Sequence, residues 1–312
     1  MSVAIVTDST AYLPQSVVDA HGIQVVPLHV VIGGTEFSEG VDVTTAQVAT
    51  ALRAFRPVST SRPSPQAFLE AYEKAAAGGA DGVVSVHISA DMSSTVESAH
   101  LAAKQSPVPV RVVDSRSLGM AMGYGVVSAA LLADAGASLD EVAAQALSRA
   151  AGARVVFYVD TLEHLRRGGR IGSASAFLGS ALAIKPILEL VDGRIRPLEK
   201  VRTSTRALAR LEEIAVSAAT SSGDGSGVDI AVHHLDSAAR AEDLAERLRS
   251  RVESAHEVSV VELGAVVGAH VGPGTLAVAV SPRPAARPST RSDAEPSPRS
   301  AAAADGQPPV EA

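Results

Sequence analysis

The stretch GVVSVHISADMSSTVESAHLAAKQ, residues 82–105, contains the unit that decides the fold. Its first part is mostly apolar and rich in β-branched residues, which is typical of a buried strand. A polar cluster follows, and the remainder has helical spacing. Similar strands are expected at residues 3–7, 23–32 and 110–114, with helical stretches between them. This alternation predicts an α/β domain with a Rossmann-like parallel sheet covered by helices.

The second half of the chain predicts another α/β domain, this time with a mixed sheet. A strand is expected at residues 155–160, and Asp192-Gly193 between two apolar runs is typical of a hairpin turn. Helices are expected near residues 204–219 and 238–253. The domain boundaries that follow are 1–152 and 153–281, and the Pro-, Ala-, Ser- and Arg-rich tail at 282–312 is expected to be disordered.

The composition excludes several classes of function. Cysteine is absent from the 312 residues, so disulfides and thiolate chemistry are excluded. The net charge of −7 argues against duplex nucleic acid as a partner. The chain has no GxxxxGK[ST], GxGxxG, HExxH or GxSxG motif. We therefore expect neither a metal nor a cofactor.

The same sequence predicts a cytoplasmic protein. The first residues, MSVAIVTDST, lack the basic and apolar regions of a secretory signal. The longest uncharged run, residues 263–282, is interrupted by glycine and proline, which is not the pattern of a membrane span.

Polar clusters begin at Asp8, Asp91, Asp114 and Asp160, close to the ends of predicted strands. In open α/β sheets, ligands bind beyond the carboxyl ends of the strands, so these clusters predict one polar site. Each cluster is also compatible with simple helix capping. Residues 94–97 even match the capping-box pattern.

Two further segments are candidate binding elements. Hydroxyl side chains at residues 59–61 precede Pro63 and can donate hydrogen bonds to an anion without adding charge. The same stretch also fits a helix start with Ser64 as its cap and Pro65 in the first turn, and both interpretations can hold at once. His270 lies in a Gly- and Pro-rich stretch that we expect to form a loop, where the backbone can approach a ligand closely.

Residues 161–210 carry ten basic side chains against four acidic ones. A basic segment in an acidic protein indicates a patch for phosphate or for an acidic partner. A solvated surface without a partner explains the same pattern equally well.

Seven stretches together resemble the DegV family, bacterial fatty-acid-binding proteins that include the FakB subunits of fatty acid kinase. The resemblance covers residues 3–280 in order. The stretches are VTDSTAYLP, STSRPSP, ISADMSSTVESA, VVDSRSLGMAMGYG, VDTLEHLRRGGRIGSASAFLGSALAIKPIL, DGRIRPLEKVRT and GAHVGPGTLAV.

The resemblance implies a protein that buries one long-chain fatty acid between its two domains and has no catalytic residues of its own. It also implies an ATP-dependent kinase as partner, which phosphorylates the bound carboxylate and feeds phospholipid synthesis. Arg62 and Ser94 stand where the family commonly has Gln and Gly. The implied carboxylate-binding residues are Thr60, Ser61, Ser93, Ser94 and His270.

Apolar side chains are the candidates for the acyl pocket, and arginines are the candidates for the kinase surface. The pocket residues would be Ile32, Leu118, Met120, Phe177, Leu178, Ile184 and Ile187, although each fits plain core packing as well. The surface residues would be Arg166, Arg167, Arg170 and Arg202.

Two other functions fit the same predicted polar site beyond the carboxyl ends of the strands. One is an enzyme acting on a small carboxylate or a phosphorylated substrate, with Asp8, Asp114 or His270 as its base. The other is a regulatory module that binds a different carboxylate.

Overall fold

The computed structural model describes residues 1–177, 184–222 and 226–285. Its strands are β1 (Val3–Asp8), β2 (Gln24–Val26), β3 (His29–Ile32), β4 (Thr35–Ser38), β5 (Val58–Ser61), β6 (Gly82–His87), β7 (Val110–Asp114), β8 (Arg154–Tyr158), β9 (Lys185–Val191), β10 (Arg194–Val201), β11 (Val228–His234), β12 (Ala255–Glu262) and β13 (Leu276–Pro282). Its helices are α1 (Gln15–Ala20), α2 (Thr45–Arg53), α3 (Pro65–Ala77), α4 (Thr95–Ala103), α5 (Met120–Asp134), α6 (Leu139–Ala151), α7 (Glu163–Arg167), α8 (Ser204–Ser221), α9 (Ala238–Arg251) and α10 (Ala265–Val271).

The N-terminal region is built on a parallel sheet with the order β2-β1-β6-β7. Strand β6 is buried along its whole length, because helices cover both faces of the sheet. Helices α3 and α4 pack on one face, and α5 and α6 pack on the other. The Ser64 side chain caps α3, and Pro65 lies in its first turn, as the sequence predicts.

The single strand predicted at residues 23–32 is wrong. Pro27 has no N–H to donate and separates two strands that belong to different sheets. Strand β2 joins the parallel sheet, whereas β3 pairs with β4 and β5 in a small antiparallel sheet that the sequence did not predict.

The C-terminal region contains a six-stranded mixed sheet with the order β10-β9-β8-β13-β11-β12. The predicted hairpin joins β9 to β10, and both turn residues have positive φ, 53° at Asp192 and 79° at Gly193. Helices α8 and α9 cover one face of this sheet. The other face lies against α5 and the loops of the N-terminal region. The predicted fold class, a parallel α/β unit beside a mixed-sheet α/β unit, is confirmed.

Two local predictions are wrong. The stretch around His270 forms the helix α10 rather than a loop, because Ala265 to Val271 carry enough apolar side chains to pack against the small sheet and α7. Ser94 precedes α4, but within the described ranges its side chain makes no capping hydrogen bond, so the capping box is not formed. Leu178 and most of the predicted tail lie outside the described residues.

Candidate functional site

A cavity lies between the N-terminal loops and the free face of the mixed sheet. It has an outer chamber of about 550 Å³ and an inner chamber of about 510 Å³, and both volumes include space that is open to solvent. The chambers adjoin each other, because the walls of both include Met92, Leu118, Ile195, Val267 and Val271. These residues come from four separate segments of the chain, so only the folded protein forms the cavity.

Polar side chains are concentrated in the outer chamber. Thr60, Ser61, Ser93 and His270 line it, together with Arg62 and Arg170. Among the described residues, the inner chamber is lined by apolar side chains, including Phe157, and by two polar residues, His233 and Thr275. The hydroxyl of Thr275 bonds the backbone oxygens of Val271 and Gly272, which leaves that wall chemically apolar. The cavity therefore has one polar end and one apolar end.

One polar contact in the outer chamber joins Thr60 to His270. Thr60 lies on β5 and His270 in the last turn of α10, and their Oγ1 and Nε2 atoms are 2.8 Å apart. Burial lowers the pKa of His270 to about 4, and the positive charge of Arg170 acts in the same direction. His270 is therefore neutral at pH 7 and carries one N–H. Its Nδ1 atom is buried and has no hydrogen-bond partner among the described residues.

The other candidate hydroxyls have different environments. Ser61 donates to Glu36 Oε2 at 3.2 Å, and Ser93 Oγ lies 2.8 Å from Thr95 Oγ1. Both serines reach the outer chamber. Ser94, in contrast, is not part of the cavity wall.

The loop that carries Ser93 is held from two sides. The backbone N–H of Ser93 donates to Ser89 O at 3.0 Å, and the Ser89 hydroxyl donates to Gly193 O at 2.9 Å. Asp91 forms an ion pair with Arg194 at 2.7 Å. The hairpin turn of the C-terminal region thus fixes a loop of the N-terminal region over the cavity.

A buried polar network supports the same loop from beneath. Asp8 Oδ2 accepts from the backbone N–H of Ile88 at 2.9 Å and lies 3.1 Å from His87 Nδ1, while His87 Nε2 is 2.6 Å from Ser85 Oγ. Tyr72 donates to the same serine at 2.9 Å. Although Asp, His and Ser are present together, all three are fully buried. This geometry makes Asp8 a structural residue.

Asp114, the second base considered for an enzyme, is also used by the backbone. Its Oδ1 atom accepts from Ala90 N at 3.2 Å and from Arg116 N at 2.9 Å. These bonds hold two loops together and do not direct the carboxylate into the cavity, whose walls do not include Asp114.

The predicted arginine surface is divided into separate parts. Arg166 and Arg167 both bond Glu163, whose pKa these bonds lower to about 2. Arg170 lies at the mouth of the outer chamber and donates to Met92 O at 3.1 Å. Arg202 is exposed in a different surface groove, which it shares with Lys200 and Arg206.

The predicted acyl-pocket residues are distributed over several cores. Leu118 lines both chambers. Ile187 faces the opposite side of β9 and packs with α8, because successive side chains of a strand alternate between its faces. Ile32 lies in the core of the small sheet, and Met120 packs behind the inner chamber.

The remaining acyl candidates are peripheral. Phe177 is partly buried beneath Lys200, whose Nζ atom is 4.5 Å from the ring centre, and Ile184 is half-buried. Cavity-wall residues that the sequence did not predict include Met92, Phe157, Ile195, Val267 and Val271. A correctly predicted α10 would have placed Val267 and Val271 on one helical face.

Metal-binding groups and membrane-spanning helices are two further features that bear on function. Within the described ranges, no group of His, Asp and Glu side chains is suited to hold a metal ion. No helix in the same ranges combines the length and apolar character needed to cross a bilayer.

The fold and the cavity together define a class, the two-unit α/β proteins that enclose an apolar cavity with a polar mouth between their sheets. The DegV family model matches residues 2–283, and the chain belongs to the DegV family. A DegV domain-containing protein of Streptomyces coelicolor is 55% identical over 281 residues, which are 90% of this chain and 99% of the relative.

Two solved structures are similar over almost the whole chain. A fatty-acid-binding DegV family protein from Thermus thermophilus superposes with a TM-score of 0.85 at 33% identity and covers 91% of this chain and 100% of its own. DegV of Bacillus subtilis, a fatty acid binding protein, gives a TM-score of 0.82 at 31% identity with the same coverage.

Proposed function

We propose that this protein binds one long-chain fatty acid in the two-chamber cavity and presents its carboxylate to an ATP-dependent kinase in the cytoplasm. The acyl phosphate formed there would supply phospholipid synthesis. The observation that carries the proposal is the cavity's division into an apolar inner chamber and an outer chamber with hydroxyl and imidazole side chains. Fatty-acid-binding relatives of the same fold support it.

The apolar chamber supplies the affinity. A C16 fatty acid has roughly 14 methylenes. Their transfer from water into the chamber, at about 0.8 kcal/mol each, gives a gross gain in binding free energy of about 11 kcal/mol before ordering costs. The carboxylate must then find donors, because an unpaired buried charge is very costly.

The contact between Thr60 and His270 provides such a donor. We assign the imidazole proton to Nε2, which donates to Thr60 Oγ1 and leaves the threonine proton free to point at the carboxylate. Because Nδ1 has no partner within the described part of the chain, this choice leaves Nδ1 as an acceptor and avoids a buried N–H without a partner there. Ser93 and Arg170 complete the donor set at this end of the cavity, and Ser61 joins it when its hydroxyl turns from Glu36 to the carboxylate. In this role His270 positions a hydroxyl and does not act as a base.

The test is mass spectrometry of the purified protein under native and then denaturing conditions. We expect a co-purified long-chain fatty acid that is released on denaturation. Thr60→Val keeps the shape of the side chain but removes one hydrogen bond to a charged group, so affinity should fall about tenfold or more. Thr50→Val, at an exposed position of α2, is the matched control.

The kinase role needs its own assay. The loaded protein, a bacterial fatty acid kinase and ATP should together give acyl phosphate, trapped as the hydroxamate. An empty protein that turns over ATP unaided would instead support the enzyme alternative. That alternative is less favoured, since Asp8 and Asp114 are committed to backbone hydrogen bonds.

A further inference from the structure

The floor of the inner chamber contains two alanines that are neighbours on one face of β13. Ala277 and Ala279 point into the chamber, whereas Val278, which lies between them, points to the opposite face and packs beneath α8 and α9. The neighbouring strand β8 carries larger side chains at the paired positions. Phe157 pairs with Ala277, and Val155 pairs with Ala279. The depth of the chamber at this point comes from the small size of the two alanines.

The chamber cannot extend further along the sheet beyond Ala279. The next residues on the same face of β13 and β11 are Ser281 and Asp229, which pair with each other. Asp229 Oδ2 is bonded to Arg149 at 2.5 Å, and both side chains are largely buried. Arg149 also lies over the ring of Tyr124, 5.7 Å from its centre. A hydrocarbon tail that entered this cluster would have to separate a buried ion pair.

A second polar contact limits the chamber on the β11 side. The backbone N–H of Met120 donates to His233 Nε2 at 3.1 Å. Burial lowers the pKa of His233 to about 4, so the ring is neutral and Nε2 is an acceptor. This bond joins the first turn of α5 to the mixed sheet and closes the space beside Ala277, which pairs with His233.

We propose that Ala277 and Ala279 set the longest acyl chain that the cavity accepts, with the Arg149–Asp229 pair and the Met120–His233 contact as fixed walls behind them. The inference rests on the proposed function and specifies its substrate class. A larger side chain at either alanine removes space from the apolar end alone. The carboxylate contacts at the polar end are unaffected.

The experiment offers the protein a mixture of saturated fatty acids from C12 to C20 and identifies the retained acids by mass spectrometry after denaturation. Ala279→Leu should shift retention to shorter acids, because each methylene expelled from the chamber lowers affinity about fourfold. The C18-to-C14 affinity ratio should fall about tenfold or more. Ala279→Val should give a smaller shift in the same direction, and it serves where the leucine variant does not fold.

Val278→Ile is the matched control, because it adds bulk to the opposite face of the same strand. Its chain-length profile should match that of the parent protein. An unchanged profile in folded variants at both alanines overturns the inference and leaves fatty acid binding intact. Failure of the parent protein to retain any acid overturns the proposed function itself, and this inference with it.

Discussion

Glu39 of the N-terminal region accepts a hydrogen bond from the backbone N–H of Val266, at 2.8 Å, and so holds the first turn of α10. The same carboxylate accepts from the Ser9 hydroxyl at 2.5 Å, and Ser9 in turn accepts from Leu28 N. Since Leu28 and Val266 both line the outer chamber, this single carboxylate connects two walls of the cavity. The position of His270 on α10 therefore depends on a contact between the two regions of the protein.

Glu39 should make stability depend on pH. Burial raises its pKa to about 7, the negative charge of Asp8 acts in the same direction, and the bonds from Ser9 and Val266 oppose the rise. The buried ring of Tyr12 also faces the carboxylate. The pKa of Glu39 is higher in the folded state than in the unfolded chain. Its contribution to the free energy of unfolding is therefore complete below about pH 4.5 and is lost as pH rises through 7.

Ionisation of Glu39 lowers the free energy of unfolding by about 3 kcal/mol between the acid and the alkaline limit. Urea unfolding between pH 5.5 and 8.5 should show the parent protein losing stability relative to Glu39→Gln as pH rises. Glu73→Gln, at an exposed site on α3, should follow the parent protein. Parallel curves for the parent protein and Glu39→Gln would show that this carboxylate does not titrate in the range.

The sequence predicts features that depend on neighbours along the chain and misses those that depend on distant partners. The Asp192-Gly193 hairpin and the cap at Ser64 are local, and both are present. Glu39 and Val266 are separated by 227 positions, and nothing in either local sequence indicates the bond. Its buried acid could have been found only by placing α10, which sequence patterns had assigned to a loop.

The site shows the same division. Thr60, Ser93 and His270 stand out by their chemistry and by the family resemblance, and the structure brings all three to one chamber. Val267 has a side chain that suits any core, so composition cannot distinguish cavity wall from packed interior. Ile187 illustrates the reverse case, because strand alternation turns it away from the cavity.

Gly168 should be required for the position of His270. A Cβ atom at Gly168 would overlap Nδ1 of His270, although the backbone φ of −74° suits alanine. Gly168→Ala should therefore displace the ring from Thr60 and weaken fatty acid binding about tenfold, with the fold retained. Gly152→Ala is the matched control, because Gly152 also ends a helix at φ −75° but has room for a methyl group.

Fatty acid titrations and circular dichroism of both glycine variants decide the outcome. Full affinity in Gly168→Ala would mean that the His270 contact contributes nothing to binding. Loss of helical signal in that variant alone would assign Gly168 to the packing of α7 instead.

Charge reversal at Arg202 should separate binding from presentation. Arg202 is exposed in a groove away from the cavity, so Arg202→Glu should leave the fatty acid content unchanged while slowing acyl-phosphate formation by the kinase. The rate deficit should be largest at low salt. Lys104→Glu, an exposed charge reversal at the end of α4, should leave the rate unchanged. Equal rates for both variants would exclude the Arg202 groove as the kinase surface.

The buried pair of Arg149 and Asp229 should be a main determinant of stability between the two regions. Arg149 comes from α6 and Asp229 from β11, and Arg283 also bonds Asp229 at 3.2 Å. Asp229→Asn removes the charge that offsets a largely buried guanidinium, and breaking such a pair costs about 3–5 kcal/mol. Urea unfolding should show a loss of this size.

Glu246→Gln breaks the exposed pair with Arg249 and should cost less than about 1 kcal/mol, since solvent screens that pair. Similar losses in the two variants would mean that Asp229 is solvated in solution and that the polar wall at the end of the inner chamber is open.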